Sequence, residues 1–128
     1  TVQAGFPSPA DEGHVESDRI DIYSFLVKNP QQTYVHRVTG DSMLDAGIYD
    51  GDLIISEITS DLPIGKIVIA EVNGSCTVKR LLKNKSGVIY LHAENPEFED
   101  IYSDEGHDIS VLAIVKSVIR QFENERNK

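Results

Sequence analysis

Asn73-Gly74 stands between two apolar, β-branched runs, Ile67-Val68-Ile69-Ala70-Glu71-Val72 and Thr77-Val78. Two residues of this type, flanked in this way, are a strong short-range signal for a two-residue β-hairpin. The signal fixes an antiparallel strand pair in the middle of the chain, and the neighbouring segments extend it. Thr33 to Val38 is rich in β-branched and aromatic residues, and Asp52 to Ser56 and Lys66 to Val72 are short apolar runs. Asn84 to Gly87 reads as a turn before Val88 to His92, and Glu94-Asn95-Pro96-Glu97 breaks the chain again. Asp108 to Arg120 is long enough for a helix, but Ile109, Val111, Ile114, Val115, Val118 and Ile119 are β-branched and favour a strand buried in part on both faces.

One helix is expected ahead of these strands. Ser17 or Asp18 caps it, Ile20, Tyr23, Leu26 and Val27 share a face, and Asn29-Pro30 stops it after Lys28. Residues 1 to 17 read as a flexible polar arm, because Gly5-Phe6-Pro7-Ser8-Pro9 resists helix and Asp11 to Ser17 has little to bury. Residues 18 to 128 then form a mainly β domain with one short helix near its start and a polar tail from Phe122 to Lys128. The chain begins at Thr1 rather than Met, which suggests a fragment of something longer.

A net charge of −9 argues against direct binding to nucleic acid or anionic lipid, which needs clustered Lys and Arg, and is compatible with a basic protein surface. Cys76 is the sole cysteine, so no intrachain disulfide forms, which suits a reducing, cytoplasmic setting. No apolar run approaches a membrane span, and no signal peptide is evident. The four histidines, His14, His36, His92 and His107, fit no metal motif, so neither metal nor cofactor is expected.

Three short features carry chemistry. Gly40-Asp41-Ser42-Met43 follows a strand; the glycine lets the backbone turn tightly, which can aim successive N–H groups at one point and leave the Ser42 hydroxyl exposed. These are also common turn residues. Asp50-Gly51-Asp52 looks like a second turn with solvated carboxylates rather than a metal site. Lys79, in the second strand of the hairpin, shares a face with Thr77 and Leu81 by alternation, opposite Val78 and Arg80. To act as a base near neutral pH its pKa must come down from about 10.4, at about 4 kcal/mol against the ammonium, which needs a dry site. In Val2-Gln3-Ala4-Gly5, the side chains of Val2 and Ala4 would point to one side of an extended segment and fill shallow pockets, with Gly5 beyond a scissile bond. His36, on the strand leading to Ser42, is the rival base.

Taken in order, Ala4-Gly5, Gly40-Asp41-Ser42-Met43 and Thr77-Val78-Lys79 resemble the LexA-type self-cleaving serine-lysine peptidases. Gly5-Phe6-Pro7-Ser8-Pro9-Ala10, Arg19-Ile20-Asp21, Asp50-Gly51-Asp52-Leu53 and Ile67-Val68-Ile69-Ala70 are similar to the UmuD-like branch, accessory subunits of error-prone polymerases. The likeness runs from Ala4 to about Ile119. It implies a LexA/signal-peptidase-like β fold, Ser42 as nucleophile, uncharged Lys79 as its base, and main-chain N–H groups of Asp41 and Ser42 as the oxyanion hole. It further implies cleavage at Ala4-Gly5, stimulated by a RecA-type recombinase filament on single-stranded DNA in the SOS response, and a processed homodimer that joins a Y-family DNA polymerase in translesion synthesis. Three other readings stand beside it: a LexA-like or phage-type repressor fragment, a signal-peptidase relative, and a non-enzymatic acidic β adaptor.

Overall fold

The computed structural model describes residues 15–123. Seven strands form one sheet: β1 (Thr33–Arg37), β2 (Leu53–Ile58), β3 (Ile67–Val72), β4 (Ser75–Lys83), β5 (Ile89–His92), β6 (Ile101–Tyr102) and β7 (Ile109–Ile119). Their spatial order is β1-β2-β7-β3-β4-β5-β6, with every neighbour antiparallel. The mainly β expectation is met, and the hairpin forms where the sequence places it. Asn73 and Gly74 both take positive φ, 51° and 91°. That is the turn whose twist matches the strands it joins.

β7 lies between β2 and β3 and is the hinge of the architecture. Pairing shifts by one residue opposite Ile55/Ser56 and again opposite Ile69/Ala70. The extra residues on β7 are Lys116 and Leu112, both exposed. Each such bulge increases the local twist and switches which side chains face inward. This is why the strand reads as apolar on both faces. The curled sheet brings the end of β1 and the start of β4, four positions apart in strand order, to one cleft.

The core occupies both faces. Val38, Met43, Ile48, Ile54, Ile69 and Ala113 form one buried cluster, against which Val78 packs. Val68, Ala70, Leu81 and Leu91 form the other. Val78 and Leu81 have opposite parity on β4, as do Ile69 and Val68 on β3, so the two clusters lie on opposite sides of the sheet.

One local expectation needs correction. The helix α1 spans only Ile22–Leu26, not Ser17 to Lys28, with extended backbone at Asp21 and Val27 and no side-chain cap. Its apolar residues find no core: Ile22, Tyr23 and Phe25 are exposed, as is Ile20 ahead of it, and Leu26 is only half-buried. Without burial so short a helix gains little from further turns. The chain then enters a single 3₁₀ turn, Pro30–Gln32, with proline at its start. β6, two residues long, was invisible to any periodicity argument; its Tyr102 ring stacks on Tyr90 at 4.6 Å between centroids. Among the described residues no helix is long and apolar enough to cross a membrane.

Candidate active site

The segment from Val38 to Asp52 is a loop pinched shut at its base. Val38 N–H donates to the Asp52 carbonyl and Gly51 N–H to the Val38 carbonyl, both at 2.8 Å. Inside it, Met43 and Ile48 are buried and anchor the loop in the first core cluster. Gly40 takes φ 89°, a left-handed conformation that side-chain-bearing residues avoid, and so turns the chain sharply into Asp41 and Ser42. Gly40 N–H donates to Asp50 Oδ1 at 2.8 Å.

In the Asp50-Gly51-Asp52 turn one carboxylate is solvated as expected and the other is not: Asp50 is exposed and ties the loop together, whereas Asp52 is buried at 2 % exposure. Arg120, just past β7, donates from Nε and Nη2 to the two Asp52 carboxylate oxygens, each at 2.7 Å. This pairing holds the Asp52 carboxyl below its usual pKa, with the Arg120 hydrogen bond as the main cause. Among the described residues no group of three or more His, Cys, Asp or Glu is arranged to hold a metal ion.

Lys79 is the second buried charge-bearing group. It pairs across the ladder with Val68 and shares its face with the fully buried Leu81. Its side chain is turned toward the loop: Nζ donates to Ser42 Oγ at 3.1 Å and also to Thr77 Oγ1. Lys79 is only 8 % exposed. Among the described residues no carboxylate lies within ion-pair distance of it. Burial without a counter-ion disfavours the ammonium, so the pKa is lowered. The cause is desolvation, as the apolar face predicts.

The fold thus brings Ser42 and Lys79, 37 residues apart in the chain, into hydrogen-bond contact. Ser42 and Thr77, the two side chains that Lys79 contacts, line a cleft of about 160 Å³ together with His36, Val38, Gly40 and Ile69. Among the described residues the N–H groups of Asp41 and Ser42 donate to no acceptor. A hydroxyl beside an amine whose pKa is lowered by burial, with backbone N–H groups next to it, is suited to acyl transfer. Val2, Ala4 and Gly5 lie outside the described residues. His36 lines the same cleft but makes no hydrogen bond with Ser42. Replacing His36 with Gln is expected to leave any self-cleavage within about threefold, followed by intact mass, because a base must reach the proton it removes.

Sequence reasoning missed two supports of the loop. Arg120 reads only as a strand end, and its partner is 68 residues away. Asn95 reads only as part of a break, yet its Nδ2 donates to the Asp41 carbonyl at 2.8 Å. Nothing local marks either role.

A family model described as Peptidase S24-like matches residues 1–116. The chain belongs to the S24 peptidase family. Like other S24 members it is a self-cleaving serine peptidase by descent, and the sequence resemblance to LexA-type peptidases is that of this family. The S24 chain is 36 % identical over 119 residues to Protein ImpA of Salmonella typhimurium, covering 93 % of this chain and 79 % of that protein. It is 42 % identical over 121 residues to the LexA repressor of Aliivibrio fischeri, covering 93 % of this chain and 56 % of the repressor. The LexA repressor of Vibrio atlanticus is 41 % identical over a segment of the same extent. The S24 chain therefore spans little more than half the length of these repressors.

Proposed function

We propose that Ser42 and Lys79 are a catalytic dyad that cuts this chain at Ala4-Gly5. The observation that carries the reading is the 3.1 Å contact between Ser42 Oγ and a buried amine that has no counter-ion among the described residues. Neutral Lys79 takes the Ser42 proton as Oγ bonds to the Ala4 carbonyl carbon. The resulting oxyanion is held by the N–H groups of Asp41 and Ser42. The C–N bond to Gly5 then breaks, with the Lys79 proton passing to the departing Gly5 amine. Water, deprotonated by Lys79, releases the acyl group as the Ala4 carboxylate and restores the Ser42 hydroxyl. Val2 and Ala4 occupy the cleft as the small side chains that orient the bond. The 38 residue-to-residue steps from Ala4 to Ser42 can reach back easily at about 3.3–3.6 Å each.

In this reading residues 1–17 are the cleavable arm and residues 18–128 the peptidase domain. The processed chain is a cytoplasmic homodimer and an accessory subunit of a Y-family polymerase in translesion synthesis, with cleavage stimulated by a RecA-type filament during the SOS response. The Gly5-Phe6-Pro7-Ser8-Pro9 stretch supports this branch. The identity to LexA repressors over 56 % of their length favours a second reading, the self-cleavage domain of a repressor. The reading frame upstream of Thr1 separates the two: a helix-turn-helix pattern there would favour the repressor.

Mild alkaline incubation followed by intact mass tests the chemistry. Below the pKa of Lys79 in the folded chain, the neutral fraction rises about tenfold per pH unit, and cleavage after Ala4 is expected to rise with it. Ser42→Ala is expected to stay whole at every pH. A wild-type chain that stays whole at high pH would remove the basis for the dyad.

A further inference from the structure

The turn that presents Ser42 is held from outside by the segment following β5. Glu94 N–H donates to Met43 Sδ at 3.4 Å, Asp45 N–H donates to the Glu94 carbonyl at 2.7 Å, and Asn95 Nδ2 donates to the Asp41 carbonyl at 2.8 Å. The last of these has a consequence for chemistry. In a trans peptide the carbonyl of one residue and the N–H of the next point in opposite directions. Fixing the Asp41 carbonyl toward Asn95 therefore fixes the Ser42 N–H away from it. That N–H meets no acceptor among the described residues. The Asn95 amide cannot turn over freely, because its Oδ1 accepts the Glu97 N–H at 3.0 Å, which leaves Nδ2 facing Asp41.

We propose that Asn95 is a positioning residue for the oxyanion hole: by holding the Asp41 carbonyl it aims the Ser42 N–H at the oxygen of the tetrahedral intermediate. The inference rests on the dyad reading above. It assigns Asn95 no contact with the reacting atoms. Losing one oxyanion donor outright costs about 10²–10³ in rate, so loosening its aim should cost less. Asn95→Ala removes the tether and leaves the peptide free to turn. Asn95→Asp keeps the shape and the acceptor for Glu97 N–H but sets a carboxylate against the Asp41 carbonyl, so it should be the more damaging of the two.

The test compares self-cleavage of wild type, Asn95→Ala and Asn95→Asp across pH by intact mass, at a temperature well below the unfolding midpoint of each. It also measures inhibition by a Val-Gln-Ala boronate, whose boron becomes tetrahedral on Ser42 Oγ as the serine proton passes to Lys79. Cleavage is expected to fall about tenfold in Asn95→Ala and about thirtyfold in Asn95→Asp, with the pH midpoint unmoved. The boronate concentration that halves cleavage should rise by similar factors, because boron places an oxygen where the oxyanion forms. Cleavage within twofold of wild type would overturn the proposal. So would a loss that moves the pH midpoint, which would implicate Lys79, or one that leaves boronate inhibition unchanged. A wild type that neither cleaves nor takes the boronate would overturn the dyad as well, which distinguishes the two failures.

Discussion

Lys79→Met is expected to abolish self-cleavage, by at least about 10⁴-fold, while making the folded chain more stable at neutral pH. The two effects have one cause. General acid–base participation alone is worth about 10²–10⁴, and here the same amine both activates the nucleophile and protonates the leaving group, so its loss removes two steps. The stability gain follows from the environment. Lys79 is 8 % exposed, faces Val68 and Leu81, and has no carboxylate partner among the described residues. Desolvation lowers its pKa. In the unfolded chain the amine keeps its proton up to about pH 10.4. Between the lowered folded value and that pH the unfolded state binds more protons, so wild-type stability rises with pH across the window. Methionine, of similar length and uncharged, carries no such dependence. Urea unfolding of both proteins at pH 7 and pH 9.5 checks the sign: Lys79→Met should be the more stable at pH 7, and the gap should narrow at pH 9.5. A methionine variant less stable than wild type at pH 7 would mean that the hydrogen bonds to Ser42 and Thr77 outweigh the buried amine's desolvation.

How much of this site the sequence discloses depends on the range of the interactions. Lys79 on a face with Thr77 and Leu81 follows from alternation along β4, and the contact with Thr77 Oγ1 is local in that sense. The Asn73-Gly74 turn is equally local: two residues dictate the sign of φ, and the register of the hairpin follows, with Val72 opposite Ser75 and Val68 opposite Lys79. That Ser42 meets Lys79 is not local. It requires β7 to lie between β2 and β3 and to curl the sheet through bulges at Leu112 and Lys116, which no pattern within β7 specifies. The helix expectation overreached for the opposite reason. Ile20, Tyr23, Leu26 and Val27 have helical spacing, but spacing stabilises a helix only where something covers its apolar face. Here Ile20 and Tyr23 stand at 50 % and 60 % exposure. Asp52 shows the same limit: two acids flanking a glycine look solvated until Arg120 arrives from 68 residues away.

Arg120→Ala is expected to destabilise the chain, seen as a clearly lower urea midpoint at pH 7, although it lies apart from the Ser42–Lys79 contact. The reason lies with the group left behind. Asp52 is 2 % exposed, and without Arg120 its carboxylate keeps just the Tyr49 N–H at 2.7 Å as a named donor. Breaking a buried pair by removing one partner costs about 3–5 kcal/mol when both are dry; the Arg120 side chain is 35 % exposed, so water reaching the vacated space reduces the penalty. Arg120 also donates to the Gly47 carbonyl at 2.8 Å and lies over the Tyr49 ring at 4.1 Å. Its removal therefore loosens the far side of the loop that carries Ser42. The pH dependence separates charge pairing from packing. Asp52 has its pKa lowered, chiefly by the Arg120 hydrogen bond, so the stability it contributes is present above the ordinary carboxylate value near 3.9 and is lost as pH falls through the lower folded value. Wild type should consequently lose more stability than Arg120→Ala between pH 7 and pH 3, bringing the two urea midpoints together. Parallel titrations would show instead that Arg120 acts through packing on Tyr49. Cleavage in Arg120→Ala, measured cold enough that the chain stays folded, should fall by no more than about tenfold. The Gly40–Asp50 and Asp41–Asn95 hydrogen bonds still brace the turn from within and from the opposite side.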